Sequence, residues 1–578
     1  MSGRDYDAVV VGSGLGGVSA AAYLAAAGKR VLVLERYNVI GGSSHVFRRQ
    51  GRWEFDCGVH YIGDCGPGGA VPSFLRGLGL DDHIEWLPLD SAGFDTIVAP
   101  DFELRTPHGW DAYLENLCAA FPDDQRGLRR YVGVMRALGK AFDDRAVSLS
   151  STSEMSRAFL RSGFAGVWAM APFASLLAAC GLKPRTILAL SVQCGALAST
   201  PTSTTVGTMV GFLQSFVGHG AWYPRGGGQM LSAAFAEVVV SHGGQIRVNA
   251  EVDRILVEGS RVCGVRLTDG EEVRADTVVS DADIIRTYRD LVGYEHLPRA
   301  TRLRVDNWRM SRPLINGCFG VEIDIHATPN SNFYAIPTWD DANSLLSLTR
   351  MTHNLFSGSR DAGDRQKWAK NFATRQPMFV QCSTRRDPSN TRSAPAGHAA
   401  IEVQTIVPSS PKLWGYDGLD ARTTEYRKDP EYLAMKELVI EGMLDRLDQV
   451  YPGASSRVKL TELGTPATQT RFTATTGGAS FGLEPNPLQF GPLRPGVRTP
   501  VNGLFTVGTS TRWGPGTEGS MMSGVQAASA ITGRDLIAEI RSGVVLADRA
   551  KIRNWKPGVD PLAVQRELSS NNTEEVTT

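Results

Sequence analysis

The feature that most restricts this chain lies close to its start. Asp7-Ala-Val-Val-Val11 reads as an apolar β-strand and runs into Gly12-Ser13-Gly14-Leu15-Gly16-Gly17. A small-residue helix follows, Val18 to Ala27, and stops at Gly28. Val31-Leu-Val-Leu34 is a second strand, and Glu35 stands at its end, 23 positions after Gly12. Strand, glycine turn, helix, strand and acid make one unit, which commits this part of the chain to a parallel sheet with crossover helices. Each glycine of the Gly12-x-Gly14-x-x-Gly17 pattern has a physical task. Gly12 permits the tight turn, Gly14 lets the backbone approach a diphosphate, and Gly17 allows close helix–strand packing. Ser13 and Gly16 belong to the same turn. The helix N-terminus offers free N–H groups and partial positive charge to phosphates. Glu35 can accept hydrogen bonds from a ribose and would repel a 2′-phosphate, so the expected ligand is a dinucleotide that lacks one. A lone glycine triplet is weak evidence, but here the flanking strands, helix and acid fall into place together.

The next segment narrows the choice. Arg36-Tyr-Asn-Val-Ile40 leads to Gly41-Gly42-Ser43-Ser44-His45. A second glycine turn lets the backbone approach a cofactor extending beyond its diphosphate. At this point the sequence resembles the flavin amine oxidase superfamily, within it the phytoene desaturase, carotenoid isomerase and retinol saturase group. Trp53-Glu-Phe-Asp-Cys-Gly-Val-His-Tyr-Ile-Gly63 is similar to a stretch of the saturases and isomerases. Tyr223-Pro-Arg-Gly-Gly-Gly228 resembles the family's return to its cofactor domain, and Ile246–Ile255 reads as the strand whose Val252 backbone would meet the adenine. Val262–Leu267 and Ala275–Asp283 complete that block. Gly503–Ser510 is a strand entering a turn at Gly508, and Trp513–Gly524, with Glu518, Gly519, Ser520 and Met521, opens a helix that in the family faces the flavin ring. The resemblance covers about residues 5–540 and implies FAD.

The implied fold is α/β: a Rossmann-type FAD-binding domain interleaved with an α+β substrate-binding domain. The expected cofactor segments are 1–85, 222–290 and 460–545, the substrate segments are 86–221 and 291–459, and 546–578 reads as a tail with a polar, disordered end. From Ser162 to Pro224 the only charged residues are Lys183 and Arg185. That stretch is open to three readings: a buried helical pair, the wall of an apolar tunnel, or a surface that dips into a membrane. Residues 357–375 read as a solvated loop leading into a surface helix.

A flavin performs hydride chemistry at its own ring, so the chain need supply only binding, orientation and electrostatics. His60 and Tyr61 are the candidate catalytic pair, since the resemblance brings their stretch near the ring; the alternative is structural packing under the cofactor. Retinol saturases often have cysteines where this chain has Ser43 and Ser44, so those residues are read as cofactor contacts and no thiol role carries over. Glu518 is either a substrate-orienting acid or a helix-start acid that complements the dipole. Arg471 is read as an anion anchor or a structural ion-pair member, and Glu484 as the end of an extended segment before Pro485.

The expected activity is that of an FAD-dependent oxidoreductase acting on carbon–carbon double bonds of an apolar isoprenoid or polyene, by desaturation, saturation or cis–trans isomerisation. The rivals are an amine oxidase and a flavin-binding carrier without turnover. With one dinucleotide fingerprint, electrons are expected to pass to or from oxygen, a quinone or a separate reductase. Lys and Arg total 60, as do Asp and Glu, so no bulk charge favours nucleic acid. The ten histidines show no metal-ligand spacing, and the eight cysteines contain no CxxC pair, so a metal site and a disulfide scaffold are not expected. Asp5 and Asp7 do not suit a secretory leader, and no apolar run approaches the roughly 20 residues that span a bilayer. A cytoplasmic protein with peripheral membrane contact is the expected setting.

Overall fold

Val9 and Val10 are wholly buried, and the strand that carries them, Ala8–Val11, becomes the centre of a five-stranded parallel sheet. The computed structural model describes residues 5–143, 157, 160–344, 347–349 and 363–570. The sheet runs Gln245–Arg247, Val31–Leu34, Ala8–Val11, Val278–Ser280, Leu504–Thr506, every pair parallel. Strands this uniformly apolar need cover on both faces. The helix Leu15–Ala26 packs against Gln229–Ser241 and Thr517–Thr532. Its small residues make the contact close: a Cβ on Gly524 would lie 2.7 Å from the Ala20 nitrogen.

A second sheet has seven strands, in the order Val458–Gly464, Leu314–Val321, Ala399–Ile406, Met378–Cys382, Asn332–Ala335, Asp95–Val98, Glu103–Thr106. All its pairs are antiparallel except Asn332–Ala335 with Asp95–Val98. Helices Gly363–Arg375 and Pro430–Val450 pack together, with Trp368, Phe372, Val439 and Met443 in one core. The charge-poor stretch forms helices Phe173–Ala179, Pro184–Ser191 and Val206–Leu213, followed by the π-turn Gln214–Gly218. They share a core with Leu89, Phe94 and Ile97. Among the described residues no helix is long and apolar enough to cross a membrane.

Three expectations need correcting. Residues 246–255 are two strands, Gln245–Arg247 in the parallel sheet and Val252–Glu258 in a separate antiparallel one. Asn249 turns the chain between them with φ of 54°. Position 460 falls inside the strand Val458–Gly464, which belongs to the second sheet. As expected, Gly363–Arg375 is a surface helix, with Gln366, Lys367 and Lys370 exposed and Trp368 and Phe372 buried on its inner face; residues 357–362 lie outside the described residues. Finally, residues 546–570 are not a free tail. Helix Pro561–Ser570 packs on Gln229–Ser241, with Val564 and Leu568 in the core of the parallel sheet. Their i,i+4 spacing puts both on one face. Arg48 pairs with Asp560 through two bonds of 2.9 and 2.6 Å. The polar end beyond Ser570 lies outside the described residues.

Gln565 ties this helix to the cofactor side, its side-chain oxygen accepting from the Ile40 N–H at 3.0 Å in a buried setting. Gln565→Ala leaves that N–H unpaired and is expected to cost about 1–3 kcal/mol in chemical denaturation. An unchanged midpoint would show that the helix does not anchor the second glycine turn.

Candidate active site

Gly12 adopts φ of 92°, a conformation that L side chains rarely take, and Gly41 and Gly42 do the same at 114° and 54°. The two glycine turns touch, as Gly14 and Gly41 form a parallel bridge. A third turn closes on them: a Cβ on Gly16 would stand 2.6 Å from the Gly508 nitrogen. No side chain fits where these backbones meet. They line one end of a cavity of about 590 Å³.

Glu35 is buried at the rim and already engaged. Its Oε2 accepts from the Ser13 N–H at 3.0 Å and the Ser13 hydroxyl at 2.6 Å, and its Oε1 accepts from the Tyr37 N–H at 2.7 Å. Oε1 keeps a lone pair for a further donor. Arg36 donates to the Arg471 and Phe472 carbonyls and lies 3.4 Å from Glu251.

Gly12, Ser13, Gly14, Gly16, Glu35, Arg36, Gly41, Gly42, Ser43, Ser44, Val252, Gly508, Glu518, Gly519 and Ser520 all line this cavity, as do His60 and Tyr61. Gly17 and Met521 do not. Gly17 lies against Gly12, and the wholly buried Met521 accepts at its carbonyl from the Ser19 hydroxyl. Ser44 and His45 brace their own turn, bonding the Gly41 and Gly42 carbonyls. Arg471 lays its guanidinium over the Phe472 ring at 5.0 Å. Glu484 accepts from the Asn486 amide.

Three further lining residues bear on the site: Asp281 and Gln404, which the sequence did not single out, and the expected Glu518. Asp281 directly follows the strand Val278–Ser280, and its carboxylate lies against Gly14, Gly16 and Gly508. Burial raises it to about 7, against the Gly17 and Gly14 N–H groups that bond it. Glu518 is raised by burial too, with the Ser215 hydroxyl donating to it at 2.9 Å. Gln404 sits on the strand Ala399–Ile406, two residues from Glu402 and so on the same face.

The other end of the cavity is apolar and aromatic. Tyr61 stacks on Phe216, with centroids 4.3 Å apart, and lies near Phe379 and Tyr334. Leu197, Phe212, Leu314 and Met378 add to the wall. One polar spot interrupts it. His60 Nε2 lies 2.6 Å from the Gln404 amide nitrogen, and its Nδ1 lies 3.2 Å from Glu402 Oε2. Burial lowers His60 to about 3, so the ring is neutral. The Tyr61 hydroxyl reaches Asp95 at 3.4 Å, and Asn332 and Gln193 donate to the same carboxylate at 2.8 and 3.1 Å. Burial raises Asp95 to about 6.

This geometry offers a phosphate-binding turn, a ribose acceptor and a side-chain-free cradle, joined to an apolar chamber. The model of flavin-containing amine oxidoreductases matches residues 15–284. All-trans-retinol 13,14-reductase of Danio rerio is 26% identical over 96% of this chain and 90% of its own. Prolycopene isomerase 1, chloroplastic, of an Oncidium hybrid cultivar is 26% identical over 96% and 88%. Cyclohexylamine oxidase from Brevibacterium oxydans shares the fold at a TM-score of 0.58 and 18% identity, over 92% of this chain and 99% of its own. The chain is thus similar to flavin-containing amine oxidoreductases over residues 15–284, and over nearly its whole length to a retinol reductase and a prolycopene isomerase. Its cofactor is FAD, and the cradle between Gly14, Gly16, Gly42 and Gly508 suits a diphosphate that needs backbone approach.

Gly16→Ala is expected to push Gly508 away and to lower bound flavin at least about tenfold, roughly 1.4 kcal/mol in affinity. The ratio of visible flavin absorbance to protein absorbance after desalting reads this out. A folded variant that keeps full flavin content would remove the turn from the binding site.

Proposed function

We propose that the protein is an FAD-dependent oxidoreductase that acts on a carbon–carbon double bond of a long, apolar isoprenoid or polyene. The observation that carries this reading is a single cavity with the glycine cradle at one end and the Tyr61–Phe216–Phe379 chamber at the other. The retinol reductase and prolycopene isomerase relatives support the same substrate class. Bound FAD supplies the two-electron chemistry at its own ring. The chain supplies the rest: Glu35 and the glycine turns fix the cofactor, the apolar wall excludes water and aligns the polyene, and His60 and Tyr61 supply or steady a proton. An amine oxidase is the weaker reading, since this chamber offers a charged amine little beyond Glu518.

The two sheets fit a division of labour, with cofactor segments 1–85, 222–290 and the part after Gly464 opposed by a substrate unit from 86–221 and 291–464. Residues 546–570 join the cofactor unit. Oxygen, a quinone or a separate reductase completes the electron balance. All eight cysteines are free thiols, which suits a reducing, cytoplasmic setting.

The function is tested anaerobically. Protein whose flavin has been reduced beforehand is mixed with all-trans-retinol or prolycopene. Reoxidation of the flavin with a product heavier by two hydrogens marks saturation, and a product of unchanged mass marks isomerisation. Oxidised protein bleached by a polyene marks desaturation. His60→Asn and Tyr61→Phe are each expected to slow the step by about 10²-fold with flavin still bound. Full turnover in both variants rules out the assigned roles, and turnover of amines in place of polyenes would reverse the substrate class.

A water-insoluble substrate calls for delivery from a lipid surface, and the charge-poor stretch supplies one. Phe164 and Val167 are 79% and 75% exposed, with Leu160 and Met170 beside them in sequence, while residues further along the same stretch line the cavity. Phe164→Glu with Val167→Glu is expected to abolish sedimentation with neutral phospholipid vesicles and to leave the flavin spectrum unchanged. Undiminished sedimentation would separate this patch from the membrane.

A further inference from the structure

Three acids are buried behind the polar spot of the chamber. Asp56 is 3% exposed, and Asp95 and Glu402 are not exposed at all. One buried cation, Arg386, lies among them, its guanidinium bonded to Asn332 and placed over the Tyr223 ring at 5.8 Å. Three carboxylates against one guanidinium would leave uncompensated negative charge in a low-dielectric interior, which costs several kcal/mol per ion. Such a cluster lowers its free energy by keeping a proton.

Hydrogen bonding decides which acid keeps it. Asp56 accepts from the Tyr223 hydroxyl and from the Gly228 N–H at 2.9 Å, and these two donors work against the burial and the Glu402 charge that raise it to about 7. Glu402 accepts only the Asp56 N–H, at 3.2 Å on Oε1. Its Oε2 has no hydrogen-bond partner among the described residues, and neither has His60 Nδ1. These two orphaned atoms lie 3.2 Å apart. Buried polar atoms are rarely left unpaired, and a proton on Glu402 resolves both. A protonated Glu402 donates to Nδ1, which fixes the neutral ring as the tautomer with Nε2–H. The Gln404 amide nitrogen stands 2.6 Å from Nε2, and a half-turn of that amide puts its oxygen at the cavity wall to accept the N–H. The other groups that bear on Glu402 are Cys57, Cys318, Cys382 and Tyr223, all raised by burial and neutral, with Arg386 the cation that opposes its protonation.

We propose that Glu402 is the proton store for the double-bond chemistry and delivers through His60 to the substrate carbon. This rests on the reading of the cavity as a polyene site, and it assigns the site the saturating direction. Saturation consumes one hydride and one proton. The hydride, with both electrons, is taken from two-electron-reduced flavin and forms a C–H bond at one alkene carbon. The proton leaves His60 Nε2 and forms the C–H bond at the other. Glu402 then loses its O–H proton to Nδ1 and ends as a carboxylate. The alkene is reduced and the flavin oxidised, and an external two-electron donor, dithionite in the test, restores it. Glu402 acts through His60 and is a positioning and supplying group.

Burial raises Glu402 from the ordinary 4.5 to about 8. The folded protein therefore holds a proton that the unfolded chain releases above 4.5, so this group's contribution to stability falls as pH rises through that window. Glu402→Gln is isosteric and cannot ionise, and its Tm is expected to decline less than wild type's between pH 5 and pH 8.5. The kinetic arm mixes dithionite-reduced FAD protein with all-trans-retinol and with prolycopene, without oxygen. Wild-type flavin reoxidation is expected to fall about tenfold per pH unit above about 8. Glu402→Gln should be at least about tenfold slower at pH 7, with no such slope, and Glu402→Asp should regain part of the rate with a slope of its own. The infrared arm needs neither flavin nor substrate: at pH 7 wild type shows the carbonyl stretch of a buried protonated carboxyl that Glu402→Gln lacks. No such difference overturns the store, and a Glu402→Gln rate and slope equal to wild type's overturn the delivery. Wild-type flavin that neither polyene reoxidises overturns the reading of the cavity and the delivery with it, while the infrared band still decides where the proton sits.

Discussion

Backbone touching backbone is the contact on which this molecule depends. The turn 12–17, the turn at Gly41–Gly42 and the turn at Gly508 meet where no Cβ has room. Two of these turns lie nearly five hundred residues apart in sequence. Their meeting closes the parallel sheet at Leu504–Thr506 and leads into helix Thr517–Thr532, whose Gly524 packs against Gly16 and Ala20 of helix Leu15–Ala26, while the starts of both helices line the cavity. Two helix N-termini and their unpaired N–H groups thus converge on one cavity, which is what a doubly negative diphosphate requires. The buried Asp281 lies against the same turns. Its carboxylate takes up donors there, and its raised proton affinity softens the repulsion that a second anion would meet.

That part of the fold was legible because its information is local. A glycine triplet, an acid at a fixed spacing and two apolar strands constrain the backbone within 35 residues, and the strand Val31–Leu34 is found where the pattern puts it. The later cofactor stretches were legible only by resemblance. Nothing in Gly503–Ser510 alone says that it pairs with Val278–Ser280. The break at Asn249 was not legible, because a positive φ at a non-glycine residue is imposed by what surrounds it. The closing helix at Pro561–Ser570 was hidden by its polar composition; its few apolar side chains count only once a receiving surface on Gln229–Ser241 exists.

The chamber shows the opposite limit. His60 and Tyr61 were singled out, but their partners Glu402, Gln404, Asp95 and Tyr334 are contributed by other strands, in most cases hundreds of residues away. A signal was nevertheless present. In Ala399–Ile406 two polar residues on one face, Glu402 and Gln404, alternate within a mostly apolar inner strand of a sheet. A central strand with a polar pair on one face either pairs with something or fails to bury, so such a face points to a site.

The two ends of the cavity therefore follow opposite electrostatic rules. At the cradle the chain gathers donors and leaves them for an anionic ligand. In the chamber it excludes water and buries acids that the surrounding core does not need for packing. A well-packed apolar cluster in place of Asp56, Asp95, Glu402 and Arg386 would serve stability as well or better. Their retention beside His60 and Tyr61, at a polar interruption of the aromatic wall, makes sense where the chemistry needs protons that bulk water cannot deliver. An apolar polyene that fills the chamber seals out solvent, so any proton used during its reduction must already be inside when it binds.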